Sequence, residues 1–170
     1  MISREEAIKL VGHTSKFEHV RVVASIMANV AGKLGENVDK WWLVGLLHDL
    51  DFDETKSDRT RHGTVAAERL SQQLPADCLY AIKAHDHRTG FPPVGLLDVA
   101  LIAADSLAVL MQDVGKDSNE VTEEVLQNQM GGVLKEKPWL KRNILQCEKL
   151  GLSVAEFLKT GLGAKPTRID

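Results

Sequence analysis

Cysteine is nearly absent from this sequence: Cys78 and Cys147 are far apart and outside any Cys-x-x-Cys spacing. Neither a disulfide framework nor a thiolate zinc site can be built from them, and a reducing cytoplasm suits such a chain. A basic block is missing as well. Lys and Arg number 21 against 24 Asp and Glu, the net charge is -3 and the cations are scattered, whereas a duplex-DNA binder needs a basic face that displaces counterions. Small anionic partners stay open. No stretch approaches the ~20 apolar residues that span a bilayer. Arg4, Glu5, Glu6 and Lys9 put charge where a secretory signal would be apolar. The expectation is a soluble, cytoplasmic protein with no membrane partner. Asn-Gly and Asp-Gly hairpin signals, strict two-residue alternation and internal repeats are lacking too, which argues against a β architecture or a solenoid.

What remains is an ordinary globular composition, 44% apolar and 26% charged over 170 residues. That length suits one compact domain burying roughly two-thirds of its unfolded surface. Helical signals run the whole way. Ser3 with Glu6 three positions later is a capping box, and Gly12 stops the short helix that follows. From Lys16 to Leu34 apolar residues recur at three-and-four spacing, with Gly35 as the C-terminal cap. Asn37 or Asp39 starts a third helix to about Leu50, apolar almost all round and therefore central; Trp41 and Trp42 on it are packing residues. Asp51–Arg61 reads as a loop. A fourth helix begins near His62 and runs to Leu74, where Pro75 ends it or begins the next, and a fifth covers Asp77–His85. The segment Asp86–Pro93 cannot continue that helix. Leu96–Met111, Glu120–Met130, Pro138–Leu150 and Ser153–Leu162 complete an all-α fold, and Gly163–Asp170 is expected to be a flexible tail.

The chemistry concentrates in Leu46-Leu47-His48-Asp49-Leu50, where two ionisable side chains sit among neighbours that ask to be buried. Burial without partners costs several kcal/mol. Imidazole and carboxylate are both ligands for divalent transition metals, so one ion would compensate both. Adjacent helical residues point ~100° apart, so both reach one ion only near a helix end, and the turn expected after Leu50 provides it. His19, His62, His85 and Asp105 likewise fall at helix ends or on apolar helical faces. His13 is assigned to a helix end, and His87 to a loop, solvated or binding.

With its histidine, His-Asp pair and distant aspartate on successive helices, the sequence resembles the HD-domain metal-dependent phosphohydrolases, here through Glu18-His19-Val20, Leu-Leu-His48-Asp49-Leu and Ala103-Ala104-Asp105. The likeness runs from about Ser3 to Leu162 and is nearest the small stand-alone HDIG-type proteins. It implies a helical metal-binding core over 1–114, with further helices over 115–162 packed on the same domain. It also implies that His19, His48, Asp49 and Asp105 hold one divalent ion (Mn, Fe, Ni, Co or Zn), with Asp49 placed to bridge a second. His62 and His85 match the extra histidines of the dinuclear branch, or contact phosphate if a single ion is bound. Where cyclic-dinucleotide-cleaving relatives have Gly and Lys after the His-Asp pair this chain has Asp51 and Phe52, so that activity is not implied.

The resulting expectation is hydrolysis of a phosphate ester, of a nucleotide before a sugar phosphate, by a metal-activated water. Asp49, His62 and Asp86 are the candidate catalytic groups. Lys56, Arg59, Arg61, Lys83 and Arg88 are candidates for the phosphate, and Asp51 and Asp53 for proton acceptors or for orienting ligand imidazoles. A homodimer is allowed. The alternatives are a non-catalytic nucleotide or metal sensor, or a purely structural helical protein.

Overall fold

Ser3 opens the chain with both halves of the capping box in place, its hydroxyl accepting from the Glu6 amide and the Glu6 carboxylate accepting from the Ser3 amide. In the computed structural model, which describes residues 1–117, 122–131 and 137–163, the elements that follow are helical and no strand occurs among the described residues. The order is α1 Arg4–Val11, α2 Phe17–Leu34, α3 Val38–Leu47, α4 Thr64–Arg69, α5 Ala76–Ala84, α6 Leu96–Asp117, α7 Glu123–Gly131, α8 Pro138–Ile144 and α9 Val154–Leu162. The fold is all-α, as the periodicity predicts.

Several boundaries differ from the sequence expectation, for physical reasons. Helix α3 stops at Leu47, three residues early, because His48 turns its ring back onto the Gly45 carbonyl and the chain continues as successive turns. Helix α4 is short: the expected continuation to Leu74 tightens after Arg69, where Leu70 takes up the cap. Pro75 caps α5. Beyond Ile144 the chain winds into a 3-10 helix, Leu145–Leu150, where one helix was expected. Helix α6 outruns its expected end at Met111. The expected helix start at Glu120, Gly132 and the tail 164–170 lie outside the described residues.

Helices α2 and α3 form the centre. Gly45 lets their backbones close, since a Cβ there would lie 2.8 Å from the Ala24 Cα. Helix α6 packs on α2, α3 and α5, and α9 lies on α2 and α6. Gly161 makes that last contact, where a Cβ would meet Leu107 at 2.4 Å. Ile26, Met27, Leu46, Leu47, Leu101, Leu107 and Phe157 are fully buried between these helices, each worth about 1.5–3 kcal/mol of burial. Among the described residues no helix is long and apolar enough to cross a membrane. The rigid centre therefore holds the ends of α2, α3 and α5 and the middle of α6 together.

Candidate metal centre

Those positions carry the ionisable side chains. His48 is the C-cap of α3 and fully buried; its Nδ1 donates to the Gly45 carbonyl at 2.8 Å, which leaves Nε2 as the inward atom. Nε2 has no hydrogen-bond partner. Around it stand Asp49 Oδ1 at 3.6 Å and Asp105 Oδ1 at 3.7 Å, both too far to bond it. From the first turn of α2, His19 Nε2 reaches Asp105 Oδ1 at 2.9 Å and lies 3.8 Å from Asp49 Oδ2.

The other side is built from two more histidines. His85, at the end of α5, donates from Nδ1 to the Ile82 carbonyl at 2.6 Å. His62 lies just before α4 and donates from Nδ1 to Asp51 at 2.8 Å. The Nε2 atoms of His62 and His85 then face each other at 3.2 Å, and His62 Nε2 lies 2.9 Å from Asp49 Oδ1. Two imidazole nitrogens this close beside a carboxylate are bridged by a proton or suit a metal ion between them. Ligand atoms of His19, His48 and Asp105 lie within 4.8 Å of one another, and so do those of His48, Asp49 and His85. His48 is common to both sets, and Asp49 turns one oxygen to His62 and the other to His19.

The donor set fits a divalent transition metal: neutral imidazoles and carboxylates, no thiolate, and an orphaned buried nitrogen aimed into the cluster. The electrostatics agree. Burial alone would raise the Asp49 carboxyl, yet the charge of His48, the bond from His62 and the nearby His85 imidazole hold it well below the usual range. Asp105 behaves alike: burial opposes its ionisation, and the bond from His19 with the nearby His48 imidazole more than offsets it. Burial pushes the His62 imidazole down, but its bonds to Asp49 and Asp51 bring it up to about 9. In the ion-free protein a proton thus occupies ground suited to a metal.

A supporting layer fixes these groups. Asp51, 1% exposed, accepts from His62 with one oxygen and from the Gly63 and Ala66 amides at 2.8 and 3.0 Å with the other, so it orients the His62 ring while capping α4. Asp86 caps the turn His87–Thr89 and binds the Arg88 guanidinium, Nε at 2.9 Å from each oxygen. Burial opposes the Asp86 charge, but Arg88 keeps it ionised. Asp53 ties its loop to Ser15 through the amide at 2.8 Å and the hydroxyl at 2.5 Å.

A cavity of about 390 Å³ opens over the cluster, with Asp49, His62, His85, Asp86 and Asp105 in its wall. Of the five cations expected to contact phosphate, Arg88 lines this cavity. The other four are not among its lining residues: Lys56 pairs with Asp53, Arg59 lies over the Phe52 ring, Lys83 lies over Phe91, and Arg61 is exposed. His87 is exposed on the cavity rim, and His13 sits on the turn after α1. Sequence reasoning missed Lys16 and Phe52, and Ser106, Lys137, Trp139 and Asn143, all of which line the cavity. Lys16 stands three positions before His19, one helical turn away, and could have been found from that spacing.

A helical bundle that gathers histidines and aspartates from separate helices around one buried point defines a metal-binding domain of the His-Asp type. A family model described as HD domain matches residues 17–110, more than half of the chain. The chain belongs to the HD-domain family, a group of metal-dependent phosphohydrolases. No curated protein and no solved structure gives a significant match. Every residue of the cluster falls inside the matched span, whereas the α8 wall of the cavity falls outside it.

Proposed function

We propose that the protein hydrolyses a phosphate ester of a small molecule, most simply a nucleotide, at this cluster. The reading rests on one observation: His48 Nε2, fully buried and without a partner, is aimed between two ionised carboxylates. A bound cation would compensate that arrangement. His19, His48, Asp49 and Asp105 would hold one ion, and His62 and His85, with Asp49 shared, a second. When bound, such an ion brings water toward neutral pKa and polarises a phosphoryl oxygen.

The remaining work falls to the chain itself. Asp86 fixes Arg88 at the cavity wall, so its guanidinium is set to receive charge that grows on phosphoryl oxygens. Asp51 fixes the His62 ring, and if His62 is not a ligand its Nε2 can carry a proton to the leaving oxygen. The α8 wall, with Trp139 and Asn143, faces whatever group the phosphate is attached to.

The test is Asp49→Ala. Metal retained after dialysis should fall from one or two equivalents to none, and phosphatase activity should drop by roughly 10³-fold or more, with the helical circular dichroism unchanged. Undiminished hydrolysis by the purified variant would refute the proposal. A nucleotide that raises the melting temperature of the metal-loaded wild type without being turned over would instead support a sensor.

A further inference from the structure

At the cavity mouth one aromatic ring gathers cations. Phe52 lines the cavity, and its ring stands edge-on to His62 with centroids 5.7 Å apart. Lys16 Nζ lies 4.1 Å from the centre of the same ring, and the Arg59 guanidinium carbon 4.0 Å from it. The two charges are therefore within about 8 Å of each other. Both side chains are half-buried, and neither has a carboxylate partner among the described residues; Arg59 donates to the Phe52 carbonyl, and the Lys16 ammonium makes no hydrogen bond among them. Their neighbours differ. Lys56 pairs with Asp53, Arg69 with Glu54 and Arg88 with Asp86, so the surrounding carboxylates are already matched to other cations.

A cation–π contact holds a cation in place without neutralising it. Two unneutralised like charges, partly desolvated and kept close by one ring, repel each other until an anion joins them. Because Phe52 touches His62, that anion would sit one ring's breadth from the metal cluster, on the cavity side where Lys16 is exposed to it. An anionic group attached beyond the phosphate at the cluster is what these cations are placed to meet. Building on the hydrolytic reading above, we infer that Lys16, Arg59 and Phe52 form a second anion subsite, and that the substrate carries a further phosphate beyond the one at the metal centre. The substrate class is a phosphoanhydride or a multiply phosphorylated nucleotide, not a simple monophosphate. Phe52 is the positioning residue, Lys16 the contact at the cavity wall, and Arg59 its outer partner.

The test compares pyrophosphate with orthophosphate by calorimetric titration of the metal-loaded protein, in the wild type and in Lys16→Met, Arg59→Met and Phe52→Leu. The expected result is a preference for pyrophosphate of about tenfold or more in the wild type, shrinking as salt rises. Lys16→Met should erase most of that preference while leaving orthophosphate affinity and metal content unchanged, and Phe52→Leu should reduce it, with Phe52→Tyr restoring it. Metal chelation by pyrophosphate cannot mimic this pattern, since it would persist in every variant. Equal affinity for the two anions, no binding of either, or a preference untouched by Lys16→Met and Arg59→Met overturns the subsite. If no phosphate ester is turned over yet the Lys16-dependent preference stands, the subsite is upheld and only the hydrolytic reading fails.

Discussion

Asp51 is engaged on both carboxylate oxygens, one taking the proton of His62 Nδ1 and the other the first free amides of α4. The pairing fixes which nitrogen of His62 faces the cavity and makes that nitrogen more basic, the usual effect of a carboxylate behind a ligand imidazole. In Asp51→Asn one side-chain oxygen remains, while the amide nitrogen cannot accept from the Gly63 or Ala66 N–H. Metal affinity should fall by roughly 10–100-fold, measured by competition with a chelator, and the weaker of any two metal equivalents should be the one affected. An affinity equal to that of the wild type would show that His62 needs no such orientation. Asp51 also illustrates how far residue identity could be read. It was one of the loop acids that could orient an imidazole, but its capping of α4 depends on a fold-back of the chain that local pattern does not encode.

Between α4 and α5 the packing is closer still. Gly63 has φ +77°, and a Cβ there would lie 2.4 Å from the Ile82 carbonyl oxygen and 3.3 Å from the His85 ring. The glycine thus sits between the two histidines whose Nε2 atoms oppose each other. Gly63→Ala should destabilise the protein by about 2–4 kcal/mol, combining left-handed backbone strain with a forced separation of the two helices. Gly90→Ala is the control, because Gly90 has φ +80° with nothing within 4 Å. Denaturant titrations that give the two variants equal losses would remove the steric part of the argument. At this scale the sequence spoke unevenly. Helices α1, α2 and α6 were legible because caps and apolar spacing are local signals. The end of α3 and the brevity of α4 were not, since each is set by a side chain or backbone contact from elsewhere. The α8 wall was invisible for the same reason: Pro138–Leu150 showed only an amphipathic helix, and it is α6 that brings Ser106 against Asn143.

The cluster draws on α2, the end of α3, the approach to α4, the end of α5 and α6, so an ion there would brace most of the molecule at one point. A ligand that binds only the folded state stabilises it by about 2.7 kcal/mol at a concentration a hundredfold above its Kd, which in a domain of this size raises Tm by roughly 5–10 °C. The size of that rise depends on pH, and the protonation of the ion-free cluster gives the direction. Asp49 and Asp105 are held below their ordinary range, burial being outweighed by the neighbouring imidazoles, so their contribution exists above about pH 4 and is lost on further acidification. His62 is raised to about 9 despite burial, by Asp49 and Asp51, so its contribution is complete below about pH 6.5 and disappears as the pH climbs through about 9. The ion-free protein is therefore most stable in mildly acidic solution. On the proposed site a metal would displace the His62 proton, a displacement that becomes easier as the pH rises. The increment in Tm produced by a fixed excess of Mn or Zn should accordingly be small near about pH 6 and grow toward about pH 8.5, and His62→Gln should flatten this dependence. A Tm increment that is constant, or that shrinks over this range in the wild type, would mean that the cation and the proton do not compete for the same nitrogen and carboxylate atoms, and that the ion is bound elsewhere.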